Sequence, residues 1–218
     1  MEESEMLSQV KETYDALGPQ VAKKMNERFF EAYYVSTKEE ALAKALELIG
    51  KDDTVSWGGT VTVDQIGLKD ALYARGQEMW DRDKAASPEE RVKILHKALG
   101  CDYFLMSSNA ISADGQMVNI DGTGNRVAAL CYGPRNILVI AGMNKVTPDL
   151  DSAVKRARNI AAPVNSFRFP ALETPCKIAG KCMDCKGENC ICAQFVTTRI
   201  CKPAGRIKVI LVGEDLGF

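Results

Sequence analysis

The feature that most constrains the fold is a regular alternation of short apolar runs with segments of helical periodicity. Runs of mainly apolar residues at 103–106, 136–141 and 206–212 predict strands of a buried sheet. Residues 36–49 and 87–100 begin with hydroxyl or proline start signals, which predict helices. Strands that alternate with helices favour an α/β fold with an open, mainly parallel sheet flanked by helices.

Prolines are expected to shape two of the predicted helices, the first one and a later one. Apolar residues recur every three or four positions through the first 25 residues, so segment 1–31 is predicted to contain an amphipathic helix with a kink at Gly18–Pro19. Such a helix could cover the domain's own sheet or a second copy of the chain, which would make a homodimer. A later helix starts at residues 147–149 and is predicted to stop before Pro163.

Composition excludes several classes of protein. The 218 residues are 46% hydrophobic and 26% charged with a net charge of -1, which is typical of a soluble globular protein and not of one that coats nucleic acid. No apolar run approaches the roughly 20 residues of a membrane span. The acidic start at residues 1–5 differs from the basic start of a signal peptide, so we expect a cytoplasmic protein without a nucleic-acid or membrane partner.

The cysteines are distributed unevenly. Six of the eight lie between residues 176 and 201, in a segment 170–201 that lacks periodicity and is inserted before the last predicted strand. Since this final strand returns to the sheet, residues 1–218 are expected to form one domain. The other two, Cys101 and Cys131, lie beside apolar runs and are predicted to be buried fillers.

Within the cysteine-rich segment, four residues have the spacing of a metal site. Cys176, Cys182, Cys185 and Cys192 form a C-x5-C-x2-C-x6-C array, with Cys190 and Cys201 as substitutes. A Cys-x2-Cys pair can direct two sulfurs at one metal, and two further thiolates complete a zinc site or a four-iron cluster. Structural disulfides are the alternative, but they are rare in a reducing compartment. Only one Cys-x2-Cys pair is present, whereas a zinc ribbon usually has two.

Two glycine-containing loops are candidates for ligand binding. The first follows a predicted strand at residues 53–57, where backbone amides and hydroxyl groups could hold an anion; its candidate residues are Gly58, Gly59, Thr60 and Thr62. A tight turn with a threonine cap and no ligand explains this loop equally well. The second follows a predicted strand at residues 117–120 and contains Asp121, Gly122, Thr123, Gly124, Asn125 and Arg126.

The second loop offers more chemistry than a turn requires. Arg126 could hold a carboxylate or phosphate through two parallel hydrogen bonds, and Asp121 could act as a base or orient Arg126. The alternative is a hairpin turn with a surface ion pair. Lys145 follows the most apolar strand and could bind or act on an anionic ligand, although an exposed lysine fits the pattern as well. These loops lack the signatures of ATP and dinucleotide sites.

A family resemblance covers nearly the whole chain after the first helix. Segments 109–111, 119–128 and 141–146, the loop at residues 58–60 and the end at residues 209–217 resemble proteins of the lactate-utilisation (LUD) domain family. The resemblance implies a fold similar to the sugar-phosphate isomerase and CoA-transferase superfamily, with a ligand cleft at the carboxyl ends of the strands. Family members that take part in lactate utilisation work beside iron–sulfur partner subunits in oxidising lactate. The cysteine-rich segment departs from the pattern of those members.

Two functional hypotheses follow. In the first, the chain is an enzyme or enzyme subunit that binds a small anionic metabolite, either a hydroxy acid or a sugar phosphate. A [4Fe-4S] cluster would then serve electron transfer or substrate ligation beside redox partner subunits. In the second, it is a non-catalytic ligand-binding or regulatory module, and a structural zinc ion holds the cysteines. The single Cys-x2-Cys pair and the family's redox subunits favour the cluster over zinc.

Overall fold

The computed structural model describes residues 3–218, with side chains from Leu7 onward, so the first two residues of segment 1–31 lie outside the described residues. The strands are β1 (Glu31–Val35), β2 (Val55–Trp57), β3 (Tyr103–Met106), β4 (Ala110–Ser112), β5 (Met117–Asp121), β6 (Asn136–Gly142), β7 (Val146–Thr147), β8 (Gln194–Thr198) and β9 (Ile207–Val212). The α-helices are α1 (Glu3–Glu27), α2 (Lys38–Leu48), α3 (Val61–Gln65), α4 (Leu68–Ala74), α5 (Pro88–Lys97), α6 (Asn125–Cys131), α7 (Leu150–Arg156), α8 (Ala162–Ser166) and α9 (Pro175–Ala179).

The larger sheet has five strands in the order β1-β9-β6-β3-β2, and every neighbouring pair is parallel. The predicted α/β fold with an open parallel sheet is therefore confirmed. Its middle strands are buried on both faces, because side chains alternate between two separate apolar clusters. Val139 of β6 packs with Val21 and Met25 of α1, whereas Leu138 and Ile140 pack with helices α2 to α4 on the opposite face.

A smaller sheet has the strand order β7-β4-β5-β8. Its edge strand β8 belongs to the cysteine-rich segment and therefore fixes the position of that segment. Strand β8 was not predicted, because its side chains alternate between partly buried and exposed positions and form no apolar run. It pairs with β5 antiparallel, with Asp121 opposite Gln194. This pairing brings the end of the cysteine-rich segment against the Asp121 loop, where Ala193 N donates to Asp121 O at 2.8 Å.

The first helix is continuous through its proline, and the kink expected there stays a prediction. Helix α1 runs through Gly18–Pro19 as one helix. Gly18 has a packing role, since a Cβ atom there would overlap the ring of Tyr34 on β1. The second half of α1 therefore packs closely on its own sheet, while Leu7 and Val10 near its start are exposed.

The helix predicted to stop before Pro163 continues beyond it. Helix α7 passes through a π-helical segment, Ala157–Ala161, into α8, which ends at Ser166. Proline normally breaks a helix because it lacks an amide donor and its ring meets a carbonyl one turn earlier. The wider turn before Pro163 changes that hydrogen-bond pattern and lets the helix continue.

The two cysteines outside the cysteine-rich segment differ in burial. Cys101 is buried, as predicted, but Cys131 is exposed at the end of α6. Its position on the last turn points its side chain away from the apolar face that Ala129 and Leu130 bury. Among the described residues, no helix combines the length and apolar character needed to cross a membrane.

Candidate functional site

A cleft of about 540 Å³ opens beside the carboxyl ends of β2, β3 and β6. Thr62 follows β2, Ser107 follows β3 and Lys145 follows β6, and all three line the cleft. Ligands in parallel α/β sheets bind at this edge. Most of the sequence-predicted ligand residues line it: Gly59, Thr60, Thr62, Asp121, Gly122, Thr123, Asn125, Arg126 and Lys145.

Lys145 is a buried amine with hydroxyl partners. Its Nζ donates to Ser107 Oγ at 2.8 Å and to Thr62 Oγ1 at 3.0 Å. Burial, together with the positive charges of Arg156 and Arg126, lowers the pKa of Lys145 from 10.5 to about 7. A lysine with such a pKa exchanges its proton near neutrality, so it can act as a base or as a hydrogen-bond donor to an anion.

Asp121 is occupied with the start of α6. Its carboxylate accepts hydrogen bonds from the backbone amides of Gly124, Arg126 and Val127 at 3.1–3.2 Å. These bonds satisfy amides that lack partners at a helix start. Asp121 therefore fixes the loop conformation, and the structure gives it a structural role beside the predicted one of base.

Arg126 does not present the free guanidinium that the sequence suggested. Its Nη1 donates to Ser107 O at 3.1 Å and Asn119 Oδ1 at 2.6 Å. Its Nη2 donates to Asn109 Oδ1 at 3.0 Å and Ile120 O at 2.6 Å. Because each terminal nitrogen has two N–H groups, these four bonds engage all of them in the loop. Contact between Arg126 and an anion stays a prediction.

The glycines of the first loop have different neighbours. Gly58 lies under the Arg126 side chain, where a Cβ atom would be 2.9 Å from Arg126 Cγ. Gly59 faces the cleft. Thr60 caps the five-residue helix α3, with Oγ1 accepting from Val63 N at 3.4 Å, so its predicted hydroxyl is partly used. Gly58 and Gly124 are outside the cleft lining and support it from behind.

Three further arginines line the cleft, and no local sequence pattern identifies them. Arg82 begins a short 3₁₀ helix, Arg82–Lys84, between α4 and α5; Arg91 lies on α5, and Arg168 follows α8. Arg82 and Arg91 are neighbours in sequence, but Arg168 lies 77 positions after Arg91, so only the tertiary fold brings it to them. Together with Arg126 and Lys145 they give the cleft five basic side chains, against two acidic ones, Asp121 and Glu188.

The cysteine-rich segment gathers most of its thiols in one place. Burial raises the pKa of Cys192 to about 12, with further contributions from the nearby thiols of Cys190, Cys182, Cys185 and Cys176. Cys190 also lines the cleft, which the predicted ligand set did not include. Cys201 is separate, since it is buried in the core with its Sγ 3.1 Å from Pro203 O.

The gathered thiols are not arranged as a closed metal site. Among the residues that the structure describes, no three His, Cys, Asp or Glu side chains form a group that could hold one ion. The donor chemistry nevertheless fits a soft metal or an iron–sulfur cluster, since free thiols are gathered beside a cation: Arg158 Nε lies 3.4 Å from Cys182 Sγ.

Comparison with known proteins gave two kinds of match. A family model described as the LUD domain matches residues 19–212. No curated protein matches the chain. A solved structure of a DUF162 family protein from Deinococcus radiodurans has a TM-score of 0.52 at 15% identity, over 91% of this chain and 98% of that chain, and therefore shows the fold alone. The structure of eIF2B delta from Chaetomium thermophilum gives a TM-score of 0.32 at 19% identity, over 56% of this chain and 54% of that chain, and carries no argument.

Proposed function

Because the chain belongs to the LUD domain family, we propose that it is an enzyme or enzyme subunit that binds a small anionic metabolite in the cleft. One observation carries the proposal: Lys145 is buried at the carboxyl edge of the sheet with only hydroxyl partners, in a cleft with five basic and two acidic side chains. A buried amine without a carboxylate partner is costly to a fold, and residues of this kind concentrate at functional sites.

The proposed role of Lys145 follows from its pKa. With a pKa of about 7, the amine is half neutral near physiological pH and can accept the hydroxyl proton of a bound hydroxy acid. Ser107 and Thr62 fix the position of Nζ, because each hydroxyl oxygen occupies one of its hydrogen bonds. Its third hydrogen-bonding position would serve the ligand.

We further propose that Cys176, Cys182, Cys185 and Cys192 hold a [4Fe-4S] cluster, with Cys190 as the alternative fourth ligand. A cluster of this type transfers single electrons or ligates a substrate oxygen. The proximity of these thiols to one another and the place of Cys190 in the cleft wall support this proposal. A redox partner subunit would exchange electrons with it, as the family resemblance to lactate utilisation suggests.

Anaerobic purification with a visible spectrum and analysis of iron, sulfide and zinc tests the cluster. We expect a broad charge-transfer absorption band and stoichiometric iron and sulfide, lost in Cys182→Ala and Cys185→Ala and kept in Cys131→Ala. The last variant is the matched control, since Cys131 is exposed on α6 and outside the cysteine-rich segment. A colourless protein that contains zinc and no iron would replace this proposal with the structural-zinc module.

Calorimetric titration with lactate and other short hydroxy acids tests the cleft. We expect saturable binding to the wild type, at least tenfold weaker in Lys145→Met. Equal affinity in the two proteins would remove Lys145 from the site, and the absence of binding by any anionic metabolite would overturn the proposed ligand class.

A further inference from the structure

The three arginines that the cleft brings together form a second, distinct feature of its wall. We infer that Arg82 and Arg168, supported by Arg91, form a subsite for a phosphate group above Gly59, so that the metabolite is a phosphorylated compound. This inference rests on the proposed function, because it names the substrate class of the same cleft.

Gly59 provides the space for the phosphate. A Cβ atom on Gly59 would lie 3.4 Å from Arg82 Nη2 and 3.8 Å from Arg168 Nη1. Two guanidinium groups therefore border the same small volume, which the glycine leaves open. Parallel N–H groups of arginine match phosphate oxygens well, and a glycine lets an anion approach the backbone.

The hydrogen bonds of these arginines are incomplete. Arg82 Nε is buried and has no hydrogen-bond partner among the described residues. Its nearest carboxylate, Asp83, lies at 3.6 Å and is shared with Arg91 at 3.1 Å. Arg168 Nη1 has Asn165 Oδ1 at 3.3 Å. Unlike Arg126, these groups keep donors that a ligand could occupy.

The positive charge of these three arginines is only partly neutralised by carboxylates. Asp83 pairs with both Arg82 and Arg91, and among the described residues no carboxylate forms an ion pair with Arg168. Burial, and then the charges of Arg91 and Arg168, lower the pKa of Arg82, while Asp83 and Asp121 oppose the shift. A cluster of like charges of this kind is typical of an anion-binding site. A phosphate dianion neutralises two positive charges, whereas a carboxylate neutralises only one.

The subsite and Lys145 lie at the two ends of the first loop. Gly59 is beside Arg82 and Arg168, whereas Thr62, three residues later, accepts the hydrogen bond from Lys145. A cleft of about 540 Å³ is larger than a three-carbon acid requires. A metabolite with a phosphate at one end and a hydroxyl or carbonyl group at the other would span both positions.

Calorimetric titration with inorganic phosphate, in sulfate-free buffer at low ionic strength, tests the subsite. We expect saturable binding that is weakened about ten- to hundredfold in Arg82→Met and in Arg168→Met, as expected when one charge-assisted contact is lost. Arg135→Met is the matched control, because this arginine is 80% exposed and pairs with Asp102 at 3.4 Å on the surface. It should bind phosphate as the wild type does.

Since Arg82 is largely buried, its replacement could unfold the protein, and a second variant avoids this. Gly59→Val leaves all three arginines in place and fills the space between them, so it should keep the thermal midpoint of the wild type and lose phosphate affinity. Phosphate binding that is absent, or unchanged in Arg168→Met and Gly59→Val, would overturn the subsite. If lactate still bound in a Lys145-dependent way, the proposed function would survive that result; if neither ligand bound, both would fail.

Discussion

Lys145 Nζ lies 2.8 Å from Ser107 Oγ, and the two residues come from the ends of neighbouring parallel strands. Thr62 completes the arrangement, with its Oγ1 3.3 Å from Ser107 Oγ. All three side chains are buried, with exposures of 3% for Lys145, 9% for Ser107 and 1% for Thr62. The sheet thus holds an amine and two hydroxyls in contact at the base of the cleft, and burying the charged amine there costs free energy.

The stability of the protein should depend on pH through Lys145. Between pH 7 and 10.5 the unfolded chain keeps this proton and the folded chain releases it, so the free energy of unfolding should rise with pH across that window. Below pH 7 both states hold the proton and the cost of burying the charge is fully present. Each pKa unit corresponds to about 1.4 kcal/mol, so the total effect is on the order of a few kcal/mol.

Urea unfolding of the wild type and Lys145→Met at pH 6 and pH 9.5 measures this effect. The variant should gain stability relative to the wild type at pH 6 and lose that advantage at pH 9.5. Lys51→Met, at an exposed position, is the control and should follow the wild type. Parallel curves for Lys145→Met and the wild type would show that the amine keeps an ordinary pKa.

Replacing Arg126 should destabilise the fold far more than replacing a surface arginine. Arg126→Met removes four hydrogen bonds to oxygen acceptors, including Asn119 Oδ1 and Ile120 O, so we expect a loss of about 3 kcal/mol or more. Arg135→Met should change stability by less than about 0.5 kcal/mol. Chemical unfolding gives both values, and similar losses in the two variants would contradict the structural role of Arg126.

The adjacent glycines of the first loop should respond differently to alanine. Gly58→Ala places a Cβ atom 2.9 Å from Arg126 Cγ, and this side chain cannot move without breaking its hydrogen bonds, so a loss of about 1–3 kcal/mol is expected. Gly59→Ala makes contacts no closer than 3.4 Å and should fold normally. Thermal unfolding measured on both variants provides the comparison; equal midpoints would remove the reason for glycine at position 58.

The cysteines outside the cysteine-rich segment should differ in reactivity. Cys131 is exposed and should be alkylated rapidly in the native protein. Burial raises the pKa of Cys101 to about 12, so its thiol should react only after unfolding. Alkylation followed by peptide mass mapping, with and without urea, separates the two. Rapid native labelling of Cys101 would mean that this part of the core opens.

The candidate site shows why local patterns identified some residues and misjudged others. Lys145 could be selected from its place after the most apolar strand, because the carboxyl ends of parallel strands collect at one edge. Arg126 was also selected from its place after a predicted strand. Its hydrogen bonds to Asn109 and Asn119 depend on side-chain orientations that the spacing of residues in the sequence does not determine. In the structure the terminal nitrogens of Arg126 support the loop.

The sequence by itself determined the parallel sheet, since runs such as residues 136–141 can be buried only between two layers of helices. It also determined that thiols would concentrate near the last strand. Only the tertiary structure decided which groups share the cleft. Strand β8 brings Cys190 to it through pairing with β5, and Arg82 and Arg168, 86 positions apart, meet over Gly59. The physical reason is that strand burial is set by local hydrophobic periodicity, whereas contacts between distant polar side chains depend on how the whole chain packs.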